Sequence, residues 1–288
     1  MPSLPAGYAI GPMVPEEIDQ LGAWATEEGW NPGRHDLAIA RRTDPDAFIA
    51  LRRRGELVGG GSIFRHHDEF GFMGLFIVRK DVRGTGLGAL LWQWRLAALR
   101  QRLAAVATIG MDGVCDMVPF YTRGGFRFAH RDLRFEGVAP DSPPAPQALS
   151  LNEVPFEQLL AFDAEHFPGP RPLFLQQWLF QPDARGFALR AHGALCGYGL
   201  ARRCHQGFKL GPVFAQTPLQ ATQLLQTLCA SIAGEAIQMD IPEPNEAGLA
   251  LASTLGLQES FSCARLYCGP DPALRIGQIF GVTSFEFG

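Results

Sequence analysis

Three glycines at alternate positions constrain this chain more than any other feature of its sequence. Gly84, Gly86 and Gly88 lie in the stretch IVRKDVRGTGLGALLWQW, residues 77–94, between an apolar run and a helical pattern. A glycine inside a helix or strand costs roughly 0.5–1 kcal/mol relative to alanine. Three of them at one junction therefore predict a strand, a loop and a helix, with a loop backbone that must approach another group closely.

Several kinds of glycine-rich loop can be compared with this one. GTGLGA satisfies the dinucleotide pattern G-x-G-x-x-G/A, but that fingerprint needs a parallel strand–helix unit and an acidic residue about 20 positions later, where this chain has Ala104. A P-loop needs Gly-Lys-Ser/Thr, whereas Gly88 is followed by Ala89 and Leu90. A plain turn rarely needs alternating glycines. The remaining interpretation is a pyrophosphate site made of backbone N–H groups at a helix N-terminus, with Arg83 adding positive charge.

A proline-rich segment divides the chain into two halves that resemble each other. VAPDSPPAPQALS, residues 138–150, has neither helical nor strand periodicity and predicts a linker. GELVGGGSIFRHH in the first half is echoed by GALCGYGLARRCH in the second, and ATIGMDG by AIQMDIP. Two long copies indicate duplication of one fold. We expect an N-terminal domain at residues 1–138, a linker at 139–149 and a C-terminal domain at 150–288.

Hydrophobic periodicity in the first half predicts an α+β domain with a mixed, mostly antiparallel sheet flanked by helices. Pro15 suits the start of a helix, and tight turns join the three strands that follow. The expected elements are strand 8–10, helix 15–25, strands 48–52, 57–64 and 70–78, a helix after the glycine loop, strand 104–110, helix 115–123 and a closing pair of strands in 126–135.

This element order and two motifs resemble those of the GNAT superfamily of acyl-CoA-dependent acyltransferases. Arg83-Gly84-Thr85-Gly86-Leu87-Gly88 matches that family's Q/R-x-x-G-x-G/A loop. PFYTRGGF, residues 119–126, is similar to the family's helix with a tyrosine shortly before Gly-Phe. Val114 departs from the pattern, because an asparagine often stands there. EEGWNPGRHD and the ending RIGQIFGVTSFEFG resemble a bacterial subfamily of tandem GNAT proteins, in which the second copy is degenerate.

The resemblance implies a site for acetyl-CoA. The strand before the loop would bind the pantetheine arm and polarise the thioester carbonyl, and the loop backbone would bind the pyrophosphate. The cofactor-binding residues so implied are Phe76, Ile77, Val78, Arg83, Gly84, Thr85, Gly86, Leu87, Gly88 and Ala89. The acceptor amine would attack the thioester directly, and Tyr121 would protonate the departing thiolate.

The acceptor side is predicted from the segment around WNPG, which combines turn residues with an aromatic side chain. An alkyl amine of pKa ~10 must lose a proton near neutral pH. Glu28 is the first choice for the proton acceptor, and the alternatives are a water chain or one of Asp36, His66, His67, Asp68 and Glu69. The candidate acceptor-binding residues are Trp30, Asn31 and Asp36. His66 and His67 fall at a predicted hairpin tip, where exposure to solvent explains them more simply.

The second half is expected to have lost catalysis. Its loop, GPVFAQTPLQATQ, has no Arg-x-x-Gly-x-Gly/Ala, and aligning residues 125–126 with 256–257 puts Ala252 in the place of Tyr121. We therefore expect this half to shape the acceptor pocket or the cleft between the domains, where ligands often lie. Its polar and aromatic candidates there are Arg171, Trp178, Asp240 and Asn245.

Composition argues against several other classes. The 288 residues carry a net charge of −4, which disfavours a general binder of nucleic acid or anionic membranes. The sequence shows no secretory signal and no apolar stretch of the ~20 residues that a membrane span needs, so we expect a cytoplasmic protein. Six cysteines without a C-x-x-C pair predict reduced thiols and no metal site.

Together these features favour an acetyl-CoA-dependent N-acetyltransferase acting on the primary amine of a small molecule or amino-acid-like acceptor. The alternative is a non-catalytic acyl-CoA-binding regulatory protein, which the presence of Tyr121 disfavours. A nicotinamide oxidoreductase rests on GTGLGA alone. We expect acetyl-CoA as the co-substrate, no metal, no nucleic-acid or membrane partner, and a monomer or homodimer.

Overall fold

The structure, a computed structural model, describes residues 4–288. Two similar sets of elements follow one another along the chain and meet in one continuous sheet. The strands are β1 Tyr8–Pro12, β2 Phe48–Arg53, β3 Glu56–His67, β4 Phe70–Val78, β5 Thr108–Val114, β6 Arg127–Val138, β7 Leu149–Ser150, β8 Arg185–Ala191, β9 Ala194–Arg203, β10 Phe208–Ala215, β11 Ala236–Pro242, β12 Gln258–Cys268 and β13 Ile279–Gly281. The helices are α1 Pro15–Glu27, α2 Asp36–Thr43, α3 Leu87–Gln101, α4 Val118–Arg123, α5 Phe156–Asp163, α6 Pro172–Leu179, α7 Pro218–Ala230 and α8 Glu246–Thr254.

The first half begins with the antiparallel meander that the sequence predicted. Strands β1 to β4 pair in order, and β4 then pairs with β5 in parallel because α3 forms the crossover between them. β5 begins at Thr108 and not at residue 104. Residues 104–107 turn toward the β3–β4 hairpin instead, where the N–H of Ala104 donates to the carbonyl of Asp68 at 2.8 Å.

The last long strand of each half lies inside the other half. β12 lies between β5 and β6, and β6 lies between β12 and β11. The β12–β5 pairs run from Cys263–Val114 to Cys268–Ile109. The expected closing pair of strands at 126–135 is therefore wrong: this segment is one strand, and its inner partner comes from the second half.

The helix α3 packs its apolar face onto the first half of the sheet. Leu91 and Leu99 are fully buried there. Arg95 is fully buried on the same helix, which the pattern did not predict.

The structure also bears on the classes considered from composition. All six cysteines are unpaired. Between residues 4 and 288, no helix is long and apolar enough to cross a membrane. Within that same part of the chain, no group of three or more His, Cys, Asp or Glu side chains is placed to hold a metal ion.

Candidate active site

The two parallel strands β4 and β5 separate halfway along their length. They pair only from Phe70–Thr108 to Met73–Met111, and beyond this point the end of β4 has no partner on that side. Leu75, just after the last pair, has a left-handed φ of 51°, which is uncommon for a non-glycine residue. This separation opens a space in the sheet.

A groove of about 420 Å³ lies beside the end of β4 and under the glycine loop. Its walls come from β4, the loop, the first turn of α3, and α4. The lining residues are Glu28, Trp30, Phe76, Ile77, Val78, Arg83, Gly84, Gly86, Gly88, Ala89, Val114, Met117, Phe120 and Tyr121. Of the ten predicted cofactor-binding residues, only Thr85 and Leu87 do not line it: the Thr85 hydroxyl donates to the Val82 carbonyl at 2.7 Å, and Leu87 is buried in the core.

The glycine loop leaves the N-terminus of α3 open. Gly84 and Gly86 have φ values of 76° and 84°, in the left-handed region that favours glycine. Gly86 caps the helix without a side-chain hydrogen bond, and the first intrahelical bond is that from the Leu90 N–H to the Gly86 carbonyl. The N–H groups before Leu90 therefore have no helical partner, and together with the helix dipole they favour an anion.

Arg83 connects the loop to the end of α1. Its Nε donates to the Val78 carbonyl at 2.7 Å, and its Nη2 donates to Glu28 Oε1 at 2.6 Å. Glu28 therefore lines the groove and is paired with a cation. This position suits orientation of Arg83 better than proton abstraction from an amine.

A second, smaller cavity lies deeper in the opened sheet. It has a volume of about 90 Å³. Trp30, Phe76, Val114 and Tyr121 line both spaces, so the groove and the inner cavity meet at these residues. The second half also lines the inner cavity, through Phe261, Cys263, Phe285 and Glu286.

Tyr121 is held at this junction by aromatic packing. Its side chain is buried, and its ring contacts those of Trp92 and Phe120, with centroids 6.1 and 5.5 Å away. Desolvation by burial raises the pKa of Tyr121 to about 12, partly opposed by nearby Arg95. The phenol is therefore protonated at neutral pH and can donate a hydrogen bond into either space.

The predicted acceptor loop is only partly in the site. Trp30 lines both spaces, but Asn31 and Asp36 line neither. The Asn31 amide donates to the Gln206 carbonyl at 2.9 Å, and buried Asp36 accepts from Arg202 Nε at 3.2 Å. These two side chains anchor the loop to the second half, and this attachment positions Trp30.

The four candidates from the second half also have structural partners. Arg171 pairs with Asp163, Trp178 stacks on Phe174, Asp240 pairs with Arg134, and Asn245 caps α8 through the Gly248 N–H. None of the four lines the inner cavity. Only Asp240 acts on it, because Arg134 is a lining residue.

Two acidic side chains of the inner cavity, Asp112 and Glu286, were missed by the sequence analysis. The Asp112 carboxylate is paired with Arg265 through bonds of 2.6 and 2.7 Å, and burial raises the pKa of this carboxyl against the effect of that arginine. Glu286 is 3% exposed. The ending RIGQIFGVTSFEFG was noted for its family resemblance, but nothing in it indicated that it crosses to the first half.

The second half has closed the equivalent of each part of the site. β10 and β11 also separate after three pairs, but β13 fills the gap by pairing with β10. At the N-terminus of α7, the Thr217 side chain accepts from the Gln220 N–H, so a capping box replaces an anion site. Ala252 occupies the position equivalent to Tyr121. The main-chain carbonyl of each accepts a hydrogen bond from the N–H of the residue five positions later in the chain.

Two family models match the chain, one in each half. The model described as Acetyltransferase (GNAT) family matches residues 15–126, and that described as Acetyltransferase (GNAT) domain matches residues 159–281. Holothin acyltransferase of Pseudoalteromonas sp. (strain SANK 73390) is 24% identical over 277 residues, which cover 95% of this chain and 92% of that protein. The uncharacterized N-acetyltransferase YitH of Bacillus subtilis (strain 168) is 28% identical over 219 residues, which cover 75% of this chain and 76% of that protein.

Solved structures share the complete architecture. A candidate acetyltransferase from Pyrococcus horikoshii matches with a TM-score of 0.84 at 21% identity, covering 100% of this chain and 98% of that one. A tandem GNAT protein from the clavulanic acid biosynthesis pathway matches with a TM-score of 0.63 at 16% identity, covering 92% of this chain and 99% of that one. At these identities the likeness establishes the fold alone.

Proposed function

Because the chain belongs to the GNAT family of acyltransferases, with two of its domains in tandem, we propose that it is an N-acetyltransferase. It transfers the acetyl group of acetyl-CoA to the amine of a small acceptor. The observation that carries the proposal is the position of Tyr121, where the groove under the glycine loop meets the inner cavity. The groove receives the donor, the inner cavity receives the acceptor, and the phenol faces both.

The donor binds through main-chain groups. The free N–H groups at the start of α3 bind the pyrophosphate, and Arg83 adds a positive charge beside them. The end of β4, at Phe76, Ile77 and Val78, is paired with β3 but has no partner on the β5 side. This free edge binds the pantetheine arm and directs an N–H to the thioester carbonyl. A fixed donor of this kind contributes about 3–4 kcal/mol to stabilising a developing oxyanion.

The acyl transfer then needs one new bond, one broken bond and two proton movements. The neutral amine nitrogen attacks the thioester carbon, so that the C–N bond forms and the C–S bond breaks. Sulfur takes the proton of the Tyr121 hydroxyl, and the proton that the nitrogen loses returns to the phenolate. Burial raises the pKa of the Tyr121 phenol, and the same apolar setting raises the pKa of the departing thiol. The phenol proton therefore passes to sulfur as negative charge develops there.

The proposal is tested by thiol release with a panel of amines and the variant Tyr121→Phe. Loss of a general acid costs about 100-fold to 10,000-fold, so kcat falls by that factor while the Kd for acetyl-CoA stays within about twofold. Tyr8→Phe, a tyrosine substitution on the edge strand β1, is the matched control and keeps the wild-type rate.

Two results would contradict this function. An unchanged kcat in Tyr121→Phe removes Tyr121 from the mechanism. Thiol release that no amine raises above background hydrolysis, together with tight binding of acetyl-CoA, favours the non-catalytic regulatory protein instead.

A further inference from the structure

Two neighbouring side chains of α3 that line the inner cavity carry buried nitrogen atoms without partners. Trp92 and Arg95 are three positions apart, so they lie on one face of the helix, and both line the cavity. Trp92 Nε1, Arg95 Nε and Arg95 Nη1 have no hydrogen-bond partner among the described residues. Buried N–H groups rarely stay unpaired, so three together indicate that an oxygen-bearing ligand completes them.

Arg95 has room in the sheet because residue 61 of β3 is a glycine. A β-carbon built on Gly61 would overlap the Arg95 guanidinium. The Arg95 Nη2 donates to two backbone carbonyls, those of Ser62 and Gly74, the latter at 2.6 Å. The glycine run of β3 thus places this guanidinium beside the point where β4 and β5 separate.

Arg95 differs from the other arginines that are buried to the same degree. Arg134, Arg171 and Arg202 each pair with an aspartate, namely Asp240, Asp163 and Asp36. Arg95 is 0% exposed, and its only acceptors in the described chain are the two carbonyls. Desolvation lowers the pKa of Arg95 to about 9, so it stays charged at neutral pH. An uncompensated buried cation is costly, and an anion brought into the cavity would offset that cost.

We propose that the acceptor is an aminocarboxylate, and that Trp92 and Arg95 form the subsite for its carboxylate. A guanidinium can bind a carboxylate through two N–H groups, and the indole N–H supplies a third donor. The assignment rests on the proposed function, because it takes the inner cavity as the acceptor site.

The amine end of such an acceptor meets Glu286. This residue lines the same cavity, and its Oε2 has no partner among the described residues, while its Oε1 is 3.9 Å from Lys209 Nζ. An ammonium group transfers one proton to Glu286 and thereby becomes the neutral nucleophile that attacks the thioester. The cavity therefore offers donors to one end of the acceptor and an acceptor oxygen to the other.

The test compares amines that differ only in the carboxylate. In each of three pairs a methyl group replaces the carboxylate: glycine and ethylamine, β-alanine and propylamine, and 4-aminobutyrate and butylamine. We expect the acid of at least one pair to have a kcat/KM at least tenfold above that of its amine. If the amines react as well as the acids, N-acetylation stands and the carboxylate subsite is refuted.

Substitution of Arg95 assigns the preference to this side chain. Arg95→Met should raise KM for the preferred acid about tenfold to a hundredfold, the loss expected for a charge-assisted hydrogen bond, and leave the matched amine unchanged. Arg95→Lys keeps the charge and should restore part of the affinity. Arg100→Met, on the exposed face of α3, is the matched control. An equal loss of kcat for acid and amine would overturn the assignment, since Arg95 would then act on the reacting thioester.

A binding measurement on the full chain separates failure of this inference from failure of the proposed function. Propionate and butyrate carry the carboxylate without an amine, and Trp92 at the subsite provides a fluorescence signal. We expect a saturable change with these acids and none with their amides in the wild type, and its loss in Arg95→Met. Such a change without any acyl transfer would keep the subsite and reject the enzyme; no change with either acid would reject the subsite.

Discussion

The Tyr121 ring occupies the space that a β-carbon on Gly113 would fill. A β-carbon built at Gly113 would overlap the edge of the phenol ring. Gly113 lies on β5, beside the opening between β4 and β5. Because Gly113 has no side chain, the ring of Tyr121, the proposed acid, can pack directly against β5.

Gly113→Ala should therefore displace Tyr121 and impair catalysis. A displacement of about 1 Å can cost about 100-fold in rate, so we expect kcat to fall tenfold to a hundredfold while the Kd for acetyl-CoA changes little. Steady-state thiol release and titration calorimetry measure the two quantities. Gly137→Ala is the control, because its β-carbon would meet Leu257, far from Tyr121. A wild-type kcat in Gly113→Ala would show that the phenol need not lie where the structure has it.

Substitution of Gly86 should weaken acetyl-CoA binding by more than the backbone strain of the substitution alone would explain. Gly86→Ala places a β-carbon in the left-handed region and at the edge of the proposed pyrophosphate site, so Kd for acetyl-CoA should rise about tenfold. Gly234→Ala carries the same strain, because its φ of 80° is close to the 84° of Gly86 and the space around both is open. Calorimetry and thermal unfolding of the two variants compare them. Equal losses of stability with no difference in Kd would exclude the loop from phosphate binding.

The fold and the residues of the groove under the glycine loop were largely predictable from local patterns. The alternating glycines at 84, 86 and 88 and the tyrosine before Gly-Phe are short-range signals, and the elements that carry them follow in chain order. The GNAT assignment and the duplication of the fold are confirmed. The equivalence of Ala252 in the second half to Tyr121 in the first was also predicted from the sequence, and the structure confirms it.

The inner cavity was not predictable, because it depends on pairing between distant segments. No local pattern indicates that β12 inserts between β5 and β6, and this insertion brings Phe261 and Cys263 into the cavity. Asp36 looked like a functional carboxylate in a turn-rich loop, yet its partner Arg202 is 166 positions away. Arg95 has the wrong polarity for its place in the helical pattern, and that conflict was the available signal.

The exchange of strands predicts that neither half folds alone. Residues 1–149 lack β12, so β5 and β6 would each expose an unpaired edge in the middle of the sheet, and such edges favour aggregation. We expect each half to be unfolded or aggregated when produced separately, and the two to assemble when produced together. Circular dichroism and size-exclusion chromatography of both samples decide this. A folded, monomeric 1–149 fragment would contradict the role given to β12.

His66 should make the protein less stable as pH falls. It does not lie free at a hairpin tip: its ring packs on Phe64 and Phe174, and its Nε2 is 2.7 Å from the Phe287 carbonyl. Desolvation by burial, with Arg171 nearby, holds the pKa of His66 well below its usual value. The unfolded chain therefore takes up a proton that the folded chain does not, in the window below the ordinary histidine pKa of ~6.5.

Stability is thus present above pH ~6.5 and is lost as pH falls through that value, at no more than about 1.4 kcal/mol per pH unit for this one proton. His66→Gln keeps a donor for the Phe287 carbonyl but cannot ionise. Between about pH 7.5 and about pH 5.5, roughly one unit either side of ~6.5, its free energy of unfolding should therefore change less than that of the wild type. Urea unfolding at the two pH values measures the difference. The exposed His205 provides the control substitution His205→Gln. In this variant the slope of the unfolding free energy against pH should equal that of the wild type. If His66→Gln keeps that slope too, protonation of His66 does not limit the stability of the segment that carries Glu286 into the inner cavity.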